Sequence, residues 1–175
     1  EDGLIMLPSI SRGATVNIPV TVFNNTGANA FLDAWIDFDN SGGFTDSAAT
    51  FAGAGERSKT QITVASSASA QSIIVSFDVP TGASIGTGRG VRFRLSNTNA
   101  HTPTSSGATG EIEDYVTSIA APKNWLVTNN TSNKIECYDQ NGVWVNTFSS
   151  AVIAPVGIVK ANDGFYYVTS YLFPN

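Results

Sequence analysis

The stretch "TVNIPVTVF", residues 15–23, puts Val16, Ile18, Val20 and Val22 at every second position, with Thr15, Asn17, Pro19 and Thr21 between them. Side chains that alternate between two faces at each residue belong to a strand with one buried face, whereas a helix needs apolar residues three and four apart. The same period recurs in "QSIIVSFDVP", with Ile73, Val75, Phe77 and Val79 on one face, and in "GVRFRLSN", with Val91, Phe93 and Leu95 inward and Arg92 and Arg94 outward. "AFLDAWIDFD" carries large apolar residues on both faces, which predicts a central strand. Pro19 has no N–H to donate to a ladder, so its strand is expected at a sheet edge or at a bulge. "KTQITVA" and "EIEDYVTSIA" complete the set, and nowhere does helical spacing persist for more than a turn or two. Short strands between Gly, Ser and Asn turns, with two sheets' worth of apolar faces to bury, predict that residues 1–119 form an all-β domain, an Ig-like or jelly-roll-type β-sandwich.

After Ala120 the pattern changes. "APKNWLVTNNTSNKIECYDQNGVWVNTF" reads as strand, turn, strand, Asn-Gly turn and strand, and "PVGIVKANDGFYYVTS" then starts the series over. Aligning "WLVTN" with "YYVTS" lays Val127 on Val168, a spacing of 41 residues. Four strands in roughly 40 to 50 residues is the period of a β-propeller blade. Residues 120–175 are therefore expected to form one to one-and-a-half propeller-like blades. Blades bury their faces against one another, so either the natural protein continues past Asn175 or this segment packs on the sandwich or on another chain; the repeat favours continuation.

Charge narrows the partners. Nine basic residues stand against 14 acidic ones, a net charge of −5, which argues against a nucleic-acid binder that depends on a basic face and disfavours an anionic membrane surface. Only 13% of residues are charged, about half the ~25% of ordinary soluble domains, and Ser, Thr, Asn and Gly are abundant. That composition suits a secreted or cell-surface all-β protein. The single cysteine, Cys137, has no intrachain partner and reads as a small buried hydrophobe. No signal peptide is visible in the sequence from Glu1, the longest apolar run, "AVIAPVGIV", is too short to span a bilayer, and Glu1 is expected to be a processing boundary of a soluble chain.

The segment "DFDNSGGFTD" is the strongest candidate for a site. It sets oxygen-bearing side chains at relative positions 1, 3 and 5 (Asp37, Asp39, Ser41), a glycine for the sharp turn at position 6 (Gly42), and a backbone carbonyl at position 7 (Gly43). Hard cations take six to eight oxygens, and alternate residues of a tight loop converge on one point. Position 12 is Ala48 instead of a bidentate glutamate, and the flanks are strands, so this is no EF-hand; Asp46 or a distant carboxylate has to close the site. The competing reading is a solvated turn in which Asp and Asn bond their own backbone.

Four motifs in order resemble the GEVED domain of bacterial secreted and cell-surface proteins: "AWIDFDNSGGFTD", "GERSK" with Glu56, "VPTGASIGTGRGVRFRLSN" and "GEIEDYVTSI". The resemblance spans about residues 3–119 and implies a non-catalytic β-sandwich module whose acidic loop is similar to calcium-binding loops. It also implies that the acidic loop and the closing "GEIEDY" lie near each other, so that Glu113 or Asp114 supplies the missing carboxylate. Calcium is the expected cofactor, with Asp37, Asp39, Ser41, Gly43, Asp46, Glu56, Glu113 and Asp114 as candidate ligands. Arg92 or Arg94 offers an alternative counter-charge to the acidic groups. "SNKIECYDQNGVWVNTF" followed by "PVGIVKANDGFYYVTS" resembles NHL-type propeller repeats over about 54 residues.

Catalytic constellations are not arguable. The lone histidine, His101, sits in a Ser/Thr/Gly loop, zinc lacks enough His or Cys ligands, and Glu111 and Glu113 share one strand face too closely for an inverting glycosidase pair. The expected function is a secreted structural or adhesive module, partnered with other domains of its own protein or neighbouring subunits of an extracellular assembly. The alternatives are a glycan- or other ligand-binding module, for which Trp35 or Trp144 would have to leave the core and form a stacking platform, and the accessory domain of an enzyme whose active site lies downstream. Sequons begin at Asn24, Asn129 and Asn130.

Overall fold

The computed structural model describes residues 7–8, 10–99, 102–105, 109–122, 124–139, 142–161 and 165–171, so His101 lies outside the described residues. All regular elements among these are strands, and the chain divides into two units, Glu1–Ala121 and Pro122–Asn175.

In the first unit, β1 (Ile10–Ser11), β7 (Gly110–Ala120), β6 (Gly86–Ser96), β3 (Ala30–Ile36) and β4 (Ile62–Val64) hydrogen-bond side by side in that order, and the sheet curls into a half-barrel. The β1–β7 pair is parallel and the others are antiparallel. β2 (Thr15–Val22) and β5 (Gln71–Asp78) form a separate antiparallel pair of eight rungs. Alternation in β2 is complete, with Val16, Ile18, Val20 and Val22 buried and the residues between them exposed. These valines and isoleucines, with Val75 and Phe77 of β5, share one core cluster with Leu32 and Ile36 of β3 and Val91 and Phe93 of β6. Burial of each such side chain contributes about 1.5–3 kcal/mol, and Phe38 and Phe77 add an edge-on ring contact with centroids 6.2 Å apart. β2 pairs with β5 through Pro19 without a register shift, as expected where the ring nitrogen turns away from the partner strand.

β3 lies between β6 and β4, an interior position that matches its two apolar faces. Its second face carries Trp35, fully buried, because the long connection from Asp37 to Gln61 folds back over it; the indole Nε1 donates to Asp46 at 3.3 Å. This covering also corrects the outward placement of Arg94, which is only 4% exposed. Arg94 stands opposite Asp33 in the β3–β6 register and donates to the Thr102 carbonyl at 3.0 Å, so a segment distant in sequence shields it from water.

In the second unit, β8 (Trp125–Asn129), β9 (Lys134–Tyr138) and β10 (Trp144–Ser149) form an antiparallel sheet with β9 central, and β11 (Pro155–Lys160) pairs with β12 (Tyr166–Ser170). Gly142, with φ of +81°, supplies the left-handed residue of the β9–β10 turn. Ile135 and Cys137 are buried on one face of β9. Trp144, expected in the core, is 54% exposed, since no layer among the described residues covers that face of the sheet within this unit.

Candidate metal centre

Three elements build the acidic site. At the end of β3, the Ile36 amide donates to the Glu56 carbonyl and the Ser58 amide donates back to the Ala34 carbonyl, so residues 56–58 run antiparallel alongside the strand as a short rung. Gly55, just before it, passes so close to the Ala48 carbonyl that a Cβ would collide with backbone. From β6, the buried Arg89 donates to the carbonyls of Ser84 and Ile85 and to the Asn40 side chain, fixing the loop from its other side. Ser84 reinforces this through its hydroxyl, 3.0 Å from the Asp39 carbonyl.

The loop reverses through left-handed backbone at Asn40 (φ 65°) and Gly42 (φ 80°). Those reversals aim amides inward: Ser41 N donates to Asp37 Oδ1 at 3.0 Å and to Asp39 Oδ1 at 2.8 Å, and Gly42 N donates to Asp37 Oδ2 at 3.0 Å. Glu56, fully buried, accepts from Phe38 N at 2.9 Å on one oxygen and from Thr45 N at 2.7 Å on the other. Asp37, Asp39 and Glu56 each offer a carboxylate oxygen, all within 4.8 Å of one another. Burial pushes the Glu56 carboxyl above the usual carboxylate range, and the charge of Asp39 adds to the push. Asp39, at the exposed rim, is held below that range by hydrogen bonds from Ser41.

These residues fit a hard cation. Oxygens bound at 2.3–2.6 Å to one calcium ion lie no more than about 5 Å apart, and an oxygen that accepts one amide keeps a second lone pair for a metal. A cation would also relieve the burial of Glu56 next to the charge of Asp39.

The GEVED domain model matches residues 31–118, half of the chain, from β3 through β7. The chain belongs to the GEVED domain family. Neither the curated proteins nor the solved structures searched contain a match.

Within the GEVED domain the other candidates separate. Ser41 and Gly43 lie in the loop itself, joined by a 3.4 Å contact from Gly43 N to the Ser41 hydroxyl. Asp46 is turned to the Trp35 indole and lies 3.7 Å from Arg57. Asp114 receives both arms of the Arg92 guanidinium, at 2.7 and 2.6 Å, which holds its carboxyl below the ordinary range. Arg92 reaches across in turn to the Phe44 ring, 5.4 Å from its centroid, and to the Pro103 carbonyl. On the face of β7 opposite to Asp114, Glu113 accepts from the Tyr115 hydroxyl. The structure therefore gathers Asp37, Asp39 and Glu56 and leaves Asp46, Glu113 and Asp114 outside that group. Strand alternation explains the separation of the last two, because consecutive residues of β7 point to opposite faces. Arg89 is the residue that sequence reasoning missed; a lone arginine in "GTGRGV" carries no signal of its distant carbonyl partners.

Proposed function

We propose that this GEVED-domain chain is a non-catalytic secreted or cell-surface module, structural or adhesive, whose first unit is a β-sandwich stabilised by calcium. The observation that carries the reading is the convergence of Asp37, Asp39 and the fully buried Glu56 on one point. Gly43 and Ser41, on the same loop, are the further ligands this reading assigns, with water completing the shell. In the same reading the second unit is the start of an NHL-like propeller within a larger extracellular protein, supported by the 41-residue repeat and by the exposed apolar faces of its sheets.

Calcium added to the full chain is expected to shift the amide resonances of Ser41, Gly42 and Thr45, reversibly on chelation. A ligand bound only to the native state at 100 times its Kd adds about 2.7 kcal/mol to stability. Identical unfolding midpoints in calcium and in chelator, with those amides unmoved, would sink the proposal.

A second reading, glycan binding, has one observation in its favour. Trp125, Tyr138 and Trp144 sit directly opposite one another across β8, β9 and β10, and both tryptophans are more than half exposed. Such a row offers apolar ring faces with polar tips. Trp35, fully buried, is unsuited to the role. A glycan array that stays blank would remove this reading and leave the first intact.

A further inference from the structure

A second feature of the first unit is independent of the cation site. Where the end of β2 stands over β6 and β7, the core opens into a cleft of about 420 Å³. Its apolar walls include Val20, Val22, Leu32 and Phe93, each at least nine-tenths buried. Its polar lining is Glu111 and Glu113 of β7 with Thr21 of β2, and no lysine or arginine lines it among the described residues.

That arrangement is unusual for a strand that faces a core. Residues two apart on a strand share a face, and along β7 the inward face reads Glu111, Glu113, Tyr115, Thr117 and Ile119. The far end behaves as expected, since Ile119 is buried and Tyr115 packs edge-on against Phe93, with centroids 6.0 Å apart. At the near end the same face presents two carboxylates to a space whose other lining residues are apolar apart from Thr21. Glu113 is half-buried and braced by the Tyr115 hydroxyl, so its position is set by packing; Glu111 stands at the exposed rim.

We propose that this cleft is a binding site for an organic cation on an aliphatic stem, a primary ammonium or guanidinium whose hydrocarbon lies against Val20, Val22 and Phe93 while its charge meets Glu111 and Glu113. The volume lies within the ~300–1,000 Å³ of ligand pockets and suits one such stem, not a sugar chain. Long basic side chains and alkylamines pair an apolar body with a charged tip in this way. Anions are repelled by the two carboxylates. A bare metal ion finds too few oxygens here, and a neutral apolar ligand would strip water from Glu113 without compensation. The chemistry is shared by free amines and by lysine or arginine side chains of another protein.

The test titrates the full chain with n-hexylamine, with its neutral counterpart n-hexanol, and with a capped Gly-Lys-Gly peptide, following the methyl resonances of Val20, Val22 and Leu32. The amine is expected to bind about tenfold or more tighter than the alcohol, the size of one charge-assisted hydrogen bond. The double variant Glu111→Gln/Glu113→Gln should lose that preference while keeping the wild-type unfolding midpoint. If the double variant is destabilised, Ala70→Phe, a change at the exposed rim that narrows the mouth, should weaken amine binding alone. Tighter binding of the peptide than of the amine assigns the site to a protein side chain, and the reverse assigns it to a free amine. Equal binding of amine and alcohol, or no shift of the cleft methyls with any probe, overturns the proposal. Calcium does not enter these measurements, so the outcome is distinguishable from failure of the cation site.

Discussion

Replacing Glu56 by glutamine changes almost nothing in shape and removes one charge, which makes it the sharpest probe of the acidic loop. Without metal, two effects oppose. The variant loses the relief of Thr45 N or Phe38 N by a charged acceptor and turns an amide NH2 toward one of them, a cost of about 1–3 kcal/mol. It also removes a buried charge that lies beside Asp39, the same circumstance that raises the Glu56 carboxyl. That gain opposes the loss, because burial and the charge of Asp39 both disfavour the ionised Glu56. In chelator the variant should therefore lose less stability than the cost of about 1–3 kcal/mol for the mismatched amide alone. With calcium at 100 times its Kd the wild type gains about 2.7 kcal/mol, whereas the variant, short of one of three clustered carboxylates, should gain little. For a unit of this size about 2.7 kcal/mol corresponds to roughly 10 °C in unfolding midpoint. Four calorimetric scans, two proteins in two conditions, isolate the interaction as a difference of differences. An equal calcium shift in both proteins would refute Glu56 as a ligand. A large loss in chelator alone would instead make it a hydrogen-bonding clamp.

Other expectations follow from the same geometry. Gly55→Ala should cost about 1–3 kcal/mol because its Cβ meets the Ala48 carbonyl, whereas Gly43→Ala, which meets open space, should stay within about 0.5 kcal/mol in chelator; equal denaturant midpoints for the two would contradict the close approach. Asp114 is depressed by Arg92, so the stability it contributes is present above the ordinary aspartate range and is lost as pH falls through its folded pKa; Asp114→Asn should flatten that acid limb in a pH series of unfolding midpoints. Glu56 is raised, so in chelator its contribution has the opposite sign: it is present at low pH and lost as pH rises through the folded pKa, and calcium should release a proton there, measurable as a buffer-dependent binding heat. Residues 121–175 expressed alone should give no cooperative unfolding transition, and a sharp one would end the propeller-blade reading.

Much of the first unit was legible because period two is a local property. Val16 to Val22 could be assigned to one face before any partner was known, and β5 likewise. Arg94 was misjudged for the complementary reason: its face is covered by residues 102–105 and by the connection after β3, and neither is visible in the strand's own pattern. In the acidic loop, Asp37, Asp39 and the turn at Gly42 follow from spacing. Glu56 was one of several distant carboxylates, and only the rung formed by residues 56–58 against β3 selects it. Alternation alone could have separated Glu113 from Asp114, since neighbours on a strand cannot share a face. The inward carboxylates of β7 carry the least local signal, because a glutamate at a core-facing position looks like any surface glutamate until the opposite wall is in place.

Pro19 has a consequence for crowded conditions. β2 has one strand partner among the described residues, so its other side is an edge where a neighbouring copy's strand could add and propagate. With the ring nitrogen turned away from β5, the missing donor falls in the middle of that edge, and an incoming strand meets a gap in the row together with the bulk of the ring. A module displayed at high density on a surface would thereby be protected from zipping to its neighbours, by an imino acid that leaves the core side of the strand untouched.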